Sequence, residues 1–386
     1  MFDVTQLRQT EFPQTQHQLY FNYASISLLP QCAQARMVHS IERLTDEPMA
    51  HWRLEIMPLM EKMNGNIARL INAAAPREIN TITSTSYGVN AIAQALPWQA
   101  GDNVVLCNIE FPANVYPWLN LAERGVETCL IPADNGGLTV EALAQAVDAH
   151  TRVVAVSGVQ FFTGHRSDLM ALGQFCHEHG LLFVVDMIQA IGHVPVDVQA
   201  MHIDALVTGG QKSLLAPPGT GFMYVREEVC ARMRPHYLGG NSTVDYLHWL
   251  NYDPTPLPGT ARFNMGTTNV IGLAGMAASL DLLQTLGVST IDGYTSGLAA
   301  AAMTHLDGLG YEVITPRTAH AGIVTFVSGR DEPGTDALVT TLKEDHHITV
   351  VKHLNAEGKA HIRLSFHAYN TLAEIDYLAT ILQQLR

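Results

Sequence analysis

From residue 103 to residue 208 the sequence alternates short apolar runs with segments of helical pattern. The apolar runs are 103–107, 126–131, 152–157, 181–185 and 205–208, and a helical pattern such as 167–179 lies between two of them. Apolar strands joined by helices are typical of a parallel sheet that is covered on both faces. The sequence therefore predicts an α/β fold with a mostly parallel sheet, to which 221–225 adds an antiparallel strand.

The rest of the chain indicates a second, smaller unit. A turn-rich stretch at 237–258 contains Gly239, Gly240 and three prolines, and long stretches of this kind are functional loops or domain crossings. Helical patterns at 270–286 and 335–344 then alternate with strand patterns at 311–314, 322–327, 348–351 and 361–365, and a last helix ends the chain. We predict an N-terminal arm (1–19) that packs on the small domain, a large domain (20–260) and a smaller α+β C-terminal domain (261–386).

Composition and charge argue against several classes of partner. The 386 residues carry a formal net charge of −14, which disfavours nucleic acid and anionic membranes as partners. The N-terminal segment lacks a basic stretch followed by an apolar core, and no apolar run is long enough to cross a bilayer, so a cytoplasmic location is predicted. The five cysteines lack CxxC spacing and the histidines lack HExxH spacing, so neither a disulfide framework nor a metal site is predicted.

Lys212 lies in a loop that follows an apolar strand and contains almost no other charge. A lysine amine in a partly desolvated site has a lowered pKa and can form a Schiff base, which is how proteins hold pyridoxal phosphate (PLP). The alternative is an ordinary surface lysine, which needs no such surroundings.

Asp186 ends the apolar run 181–185. Ligands of parallel sheets lie at the carboxyl ends of the strands, and an aspartate there can keep the pyridinium nitrogen of PLP protonated. The alternative is a carboxylate that caps the next helix.

A run of small hydroxyl residues, 83–86, precedes a predicted helix at about 89–95. Hydroxyl groups and the free amides of a helix N-terminus bind phosphate well, although such runs are also ordinary helix caps.

Together these residues resemble the fold-type I PLP-dependent enzymes, and specifically the class V aminotransferase and cysteine desulfurase-like family. The segment 20–30 is similar to the family's N-terminal segment, and 110–118 to its ring-stacking segment. Asp186 to Gln189 matches an Asp-x-x-Gln motif, 263–269 a Gly-Thr-x-Asn loop, and 361–370 the segment that carries the substrate arginine. With Lys212 these motifs occur in the family's order over nearly the whole chain.

The resemblance implies a role for each matched residue. Lys212 would form the Schiff base and then move protons, while Asp186 pairs with the ring nitrogen and Gln189 faces the phenolic oxygen. Arg363 would bind the carboxylate of an α-amino acid, the small-molecule substrate, through a two-point contact. The remaining cofactor contacts would come from Thr85, Ser86 and Gln211 on the phosphate, Phe111 on the ring, and Thr267 on the phosphate of the neighbouring subunit of a homodimer.

Departures from the family pattern affect the predicted reaction. Desulfurases of the family carry a nucleophilic cysteine shortly before the substrate arginine, whereas this chain has no cysteine after Cys230. Persulfide-forming desulfurization is therefore expected to be excluded. Phe111 and the segment 159–164 are similar to kynureninases, while Gln211 and Lys212 followed by 217–219 resemble alanine-glyoxylate aminotransferases.

Phenylalanine at position 111 can stack on a ring but cannot carry protons. Proton transfer would then fall to Lys212, helped by a group such as His165, Tyr116 or His353. We predict a class V aminotransferase that acts on an α-amino acid. The alternatives are a β-elimination lyase that breaks a carbon–sulfur or carbon–carbon bond, an epimerase, and a catalytically silent PLP-binding protein.

Overall fold

The protein is described by a computed structural model that covers residues 2–245, 247–248 and 250–386. The strands are β1 (Leu19–Tyr20), β2 (Ile79–Thr81), β3 (Asn103–Cys107), β4 (Glu127–Ile131), β5 (Thr151–Ser157), β6 (Leu182–Asp186), β7 (Ala205–Gly209), β8 (Gly221–Val225), β9 (Ile323–Val327), β10 (Ile348–Thr349), β11 (Val351–Leu354) and β12 (Ala360–Ser365).

The helices surround these strands. They are α1 (Val4–Thr10), α2 (Gln31–Asp46), α3 (Pro48–His51), α4 (Met57–Leu70), α5 (Thr85–Ala95), α6 (Tyr116–Leu119), α7 (Val140–Ala146), α8 (Leu169–Glu178), α9 (Glu227–Arg232), α10 (Val270–Leu286), α11 (Val288–Gly308), α12 (Glu332–His346) and α13 (Leu372–Gln384). A π-helical stretch, Trp52–Ile56, joins α3 to α4.

The large sheet has the strand order β2-β8-β7-β6-β5-β3-β4. Strands β3 to β7 run parallel, β8 pairs antiparallel with β7, and β2 pairs antiparallel with β8. Helices cover the sheet, and the central strands are buried along most of their length, as expected for a parallel sheet between helical layers. The predicted α/β fold with a mostly parallel sheet is confirmed.

The strand order brings Asp186 and Lys212 to one edge of this sheet. Strands β6 and β7 are neighbours, and Asp186, the last residue of β6, pairs with Val207 of β7. Lys212 follows the end of β7 by three residues. Both side chains therefore lie at the carboxyl ends of adjacent parallel strands, where the chain leaves the sheet and a ligand can approach.

The C-terminal part of the chain forms a smaller antiparallel sheet, β11-β12-β9. Residues of α11, α12 and α13 share a hydrophobic core with this sheet, and Thr371 and Glu374 form a capping box that begins α13. Arg8 of α1 makes an ion pair of 2.6 Å with Glu374, and β1 pairs with β10. The N-terminal segment thus contacts the C-terminal unit.

The core does not divide at residue 260. Leu273, Met276, Leu280 and Leu283 of α10 belong to the same buried cluster as residues of β5 and β6. The helix begins where Asn269 accepts a hydrogen bond from the backbone of Gly272, which fixes its start by an N-cap. The boundaries 1–19, 20–260 and 261–386 stay predictions.

A helix and a strand are among the predicted elements that differ in extent from those observed. The predicted helix at 89–95 begins at Thr85, because the Ser84 hydroxyl accepts a hydrogen bond from the Tyr87 backbone and so caps the helix four residues earlier. The predicted strand at 311–314 is reduced to one bridge between Val313 and Phe326.

No single helix among the described residues has the length and apolar composition of a membrane span. The consecutive helices α10 and α11 meet those criteria only as a pair, and they are bent by 79° at the break between them.

Candidate active site

The loop that carries Lys212 is held by its own backbone and by the segment that follows β6. The Leu215 amide donates to the Lys212 carbonyl at 3.1 Å, and Leu215 adopts φ +56°, a left-handed conformation that costs a non-glycine residue energy. The Ser213 hydroxyl donates to the Ile188 carbonyl at 2.9 Å. The loop is therefore attached to the segment that directly follows Asp186.

Lys212 is 8% exposed, and its Nζ lies 5.0 Å from the centroid of the Phe111 ring. Burial lowers the pKa of the Lys212 amine, and the charge of Arg363 lowers it further, while Asp186 opposes both. The result is a lysine that more readily reaches the neutral, nucleophilic form needed to join an aldehyde.

Asp186 is buried, with 2% exposure. Burial raises the pKa of its carboxyl group, and so does the nearby Glu110, while a hydrogen bond from the Ile188 amide and the charge of Lys212 lower it. A buried carboxyl that is short of partners is stabilised by a protonated ring nitrogen, because that partner supplies both a positive charge and an N–H donor.

Three residues of the predicted site carry buried polar atoms that have no hydrogen-bond partner among the described residues. These atoms are Thr85 Oγ1, Gln189 Oε1 and Arg363 Nε. Buried polar atoms are nearly always hydrogen-bonded, so such a cluster fits a site that receives a polar ligand. The Gln189 amide donates one hydrogen to the Ala24 carbonyl at 2.9 Å and keeps a second for a ligand.

The N-terminus of α5 has the features of a phosphate cradle. Thr85 is the first residue of this helix, where backbone N–H groups lack helical partners. A Cβ placed on Gly209 would lie 2.7 Å from Gln211 Oε1 and 3.4 Å from Thr85 Oγ1. Glycine at position 209 therefore leaves room for the Gln211 amide at the end of β7, and the Thr85 hydroxyl lies near the same point. The residues present fit PLP: Thr85 and Gln211 at the start of α5 and the end of β7 would hold its phosphate, Phe111 would contact its ring, and Asp186 would pair with the ring nitrogen.

Two of the predicted phosphate ligands have exposed side chains. Ser86 is exposed at the surface of α5. Thr267 is also exposed and lines a separate cavity of about 190 Å³ together with Thr83 and Tyr87. Within one chain the structure does not bring Thr267 to Lys212, so its contact with a neighbouring subunit stays a prediction.

Arg363 lies on β12, where it is 2% exposed. Its guanidinium donates to the Phe161 carbonyl at 2.9 Å and to the Ser25 hydroxyl at 2.8 Å. Burial lowers the pKa of Arg363 to about 10, so the side chain remains charged at neutral pH. No carboxylate of the residues that the structure describes pairs with this buried cation, so it is well suited to bind the carboxylate of an amino acid.

Glu110, which the sequence analysis did not select, organises the end of β3 next to Phe111. Its carboxylate accepts hydrogen bonds from the Ser157 amide at 2.9 Å, from Asn114 at 3.0 Å and from Gln160. Burial raises its pKa. The signal was present in the sequence, because Glu110 closely follows an apolar strand just as Asp186 ends one. Its contacts hold the backbone from which Phe111 projects.

His367 holds the lysine loop from the side of the C-terminal unit, and we expect it to make folding stability depend on pH. Its Nδ1 accepts from the Ala368 amide at 2.8 Å, so its proton lies on Nε2, which donates to the Ser213 carbonyl at 3.1 Å. Burial lowers the pKa of His367 to about 4, whereas a histidine in the unfolded chain titrates near 6.5. Between these values the unfolded chain binds more protons, so stability falls as the pH falls.

Urea denaturation at pH 7 and pH 4.5 measures this effect. The free energy of unfolding of the unmodified protein is expected to fall by about 2 kcal/mol through His367 alone. The variant His367→Gln should lose correspondingly less over the same interval. Equal losses in both proteins would remove His367 as the source.

Comparison with known proteins shows which protein family the chain belongs to. The aminotransferase class-V family matches residues 19–378, and the chain belongs to that family. The family is PLP-dependent, so the protein is a PLP-dependent enzyme, and the predicted cofactor is confirmed.

Within this family, the similar proteins indicate an enzyme with a lyase-type activity. A probable cysteine desulfurase of Methanothermobacter thermautotrophicus is 32% identical over 339 residues, which cover 84% of this chain and 83% of that protein. The apo structure of a cysteine desulfurase from Thermococcus onnurineus NA1 is 25% identical, covers 100% of this chain and 98% of its own, and has a TM-score of 0.88. The cystine C–S lyase C-DES, solved in complex with its reaction product cysteine persulfide, has the same fold. It is 23% identical to this chain, with a TM-score of 0.88, and the match covers 97% of this chain and 99% of C-DES.

These relatives correct the predicted reaction. The prediction of a class V aminotransferase, with persulfide formation excluded, is wrong, because the similar proteins are cysteine desulfurases and the C–S lyase has a persulfide product. The exclusion rested on the lack of a late cysteine in this chain. A late cysteine is needed for a persulfide that is carried on the protein, but not for one that is released as a small molecule.

Proposed function

We propose that this protein is a PLP-dependent lyase that breaks the carbon–sulfur bond of cystine or cysteine. The observation that carries the proposal is that two buried basic side chains, Lys212 and Arg363, lie beside a row of aromatic rings that begins with Phe111 and Phe161. We call this row the aromatic wall. The Phe111 ring lies 5.0 Å from Lys212 Nζ and 5.1 Å from the Phe161 ring, and the Phe161 carbonyl accepts from Arg363. Aromatic edges make favourable contacts with sulfur. The names of the relatives support the same chemistry.

Each residue of the site has a task in such a reaction. Arg363 binds the α-carboxylate and so orients the amino acid, and the Lys212 amine takes the proton from the α-carbon. Asp186 keeps the proton on the nitrogen of the cofactor ring. When bound, PLP supplies an electron sink for the pair left on the α-carbon. The β-carbon–sulfur bond then breaks, and its electron pair leaves with the sulfur.

We propose that cystine releases cysteine persulfide to solution and that cysteine releases sulfide, each with pyruvate and ammonia after hydrolysis. The thiols of the chain favour release. Burial raises the pKa of all five cysteines, Cys32, Cys107, Cys129, Cys176 and Cys230. The thiolate is the form that accepts sulfur, so these thiols are poor acceptors.

Product analysis of the PLP-loaded protein tests the proposal. With L-cystine we expect equal amounts of pyruvate and ammonia, together with persulfide detected in the filtrate after the protein is removed. L-alanine, which has no leaving group on its β-carbon, serves as the matched control and should give no pyruvate by this route. Failure to form pyruvate from both cystine and cysteine would overturn the proposed function, and persulfide found only on the protein would overturn its release.

A homodimer is proposed as the active form. Large apolar side chains are exposed along α2, α3 and the following helices; they are Val38, Ile41, Met49, Leu54 and Met57. Such a group of exposed apolar residues favours a protein interface, and the resemblance places Thr267 at the neighbour's phosphate. A cytoplasmic location without nucleic-acid or membrane partners stays a prediction from charge and composition.

A further inference from the structure

His353 lies on the face of the small sheet that faces the active site. In the β11–β12 pairing, Val351 is opposite Arg363 and His353 is opposite His361. Alternate residues of a strand share a face, so His353 and His361 lie on the same face as Arg363. Lys352 points the other way, where it bonds carboxylates of α12.

Aromatic rings connect His353 to Lys212 without a break. The His353 ring lies 5.8 Å from the Phe161 ring and 6.3 Å from the Phe162 ring, at interplanar angles of 82° and 89°. Phe161 in turn meets Phe111 at 5.1 Å, and Phe111 lies 5.0 Å from Lys212 Nζ. His353 is therefore at the end of the aromatic wall that is farther from Lys212. It lies beyond Phe161, whose carbonyl accepts a hydrogen bond from Arg363, the proposed ligand of the α-carboxylate.

The His353 imidazole has an unused hydrogen-bonding atom. Its Nε2 is buried and has no partner among the described residues. Burial, together with the charges of Arg363 and Lys212, lowers the pKa of His353 to about 4. A neutral imidazole keeps one N–H donor and one acceptor nitrogen. A buried nitrogen without a partner is uncommon, and here it faces a site that takes a ligand.

We infer that His353 contacts the sulfur of the substrate and donates a hydrogen bond from its imidazole N–H as the carbon–sulfur bond breaks. The inference rests on the proposed function and names the residue that recognises the leaving group. The electron pair of the broken bond goes to the sulfur, and the proton stays on the imidazole, so no proton has to be replaced afterwards. A hydrogen bond to an anion is stronger than one to a neutral group, and it therefore stabilises the leaving sulfur more than the bound substrate.

Two substitutions at position 353 separate hydrogen bonding from packing. His353→Phe keeps a ring of similar size but removes the N–H group, and His353→Gln keeps an N–H donor without the ring. His361→Gln is the matched control, because His361 lies on the same face and packs on Phe162 at 5.1 Å, while its Nδ1 bonds the Lys359 carbonyl.

The first measurement compares two leaving groups. For His353→Phe we expect kcat/KM with L-cystine to fall on the order of 10- to 100-fold. β-Chloro-L-alanine should be nearly unaffected, because chloride leaves readily without a hydrogen bond. His353→Gln should keep most of the activity with cystine, and the control variant all of it. Equal losses with the two substrates, or equal losses in the Phe and Gln variants, would overturn the inference.

The second measurement does not depend on turnover. In a Lys212→Ala background, calorimetry gives the dissociation constants of L-cystine and L-alanine. Adding His353→Phe should weaken the binding of cystine several-fold and leave that of alanine unchanged. Unchanged cystine binding would refute the contact. If the unmodified enzyme cleaves β-chloro-L-alanine but neither cystine nor cysteine, the proposed function fails and this inference falls with it. If the unmodified enzyme cleaves cystine and the variants do not discriminate, only the inference fails.

Discussion

Replacing Lys212 with alanine is expected to abolish the visible absorbance of the Schiff base and to lower turnover by about 10³-fold or more, because one group supplies both the covalent link and the proton transfer. The fold should survive. The Lys212 side chain is 8% exposed in surroundings that disfavour its charge, so its removal relieves a desolvation cost. When both proteins are free of PLP, we expect the free energy of unfolding of Lys212→Ala to equal or exceed that of the unmodified protein.

The matched control for this substitution is Lys62→Ala. Lys62 has a side-chain exposure of 66% and forms a long ion pair of 3.7 Å with Asp281, so it should affect neither absorbance nor turnover. The test compares the visible spectra and initial rates of the unmodified protein, Lys212→Ala and Lys62→Ala, each incubated with PLP. An unchanged visible spectrum in Lys212→Ala would mean that another amine holds the cofactor, and the assignment of the site would be wrong.

The central strands of the large sheet, β3 and β5 to β7, were predictable because they are buried on both sides along most of their length. Strand β3 was predicted with its observed bounds, and β6 and β7 within one residue at each end. A strand between two helical layers is apolar at every position, so its limits are visible in the sequence. The N-terminal helices gave a weaker signal. Val38 and Ile41 of α2 are exposed, so the apolar positions of this helix do not mark a buried face within one chain. Pro30, which precedes the first residue of the helix, makes no side-chain cap.

The site was predictable where it depends on strand ends. Asp186 and Lys212 follow adjacent parallel strands, and topology alone brings such residues together. Contacts that cross the chain were not predictable in this way. The partners of Glu110 come from residues up to 50 positions away, and the position of His353 depends on the register between β11 and β12. No local pattern in the sequence specifies either.

Arg363→Ala is expected to raise the dissociation constant of the amino-acid substrate about 30- to 5000-fold while leaving PLP bound. The guanidinium is buried and has no carboxylate partner within the described part of the chain, and the loss of one member of a buried charge pair costs about 2–5 kcal/mol. Arg363→Lys should recover little of the affinity, because an ammonium group keeps the charge but cannot make the two parallel hydrogen bonds of a guanidinium.

The comparison that isolates this role uses a ligand without the carboxylate. Cystamine lacks the carboxylates of cystine but keeps its amines and its disulfide, so its affinity should be the same in Arg363→Ala and in the unmodified protein. Because Arg363 also holds the Phe161 carbonyl and Ser25, a general distortion of the site would weaken both ligands equally. A selective loss of cystine binding therefore reports the carboxylate contact, whereas an unaltered dependence of rate on cystine concentration would exclude Arg363 from the substrate site.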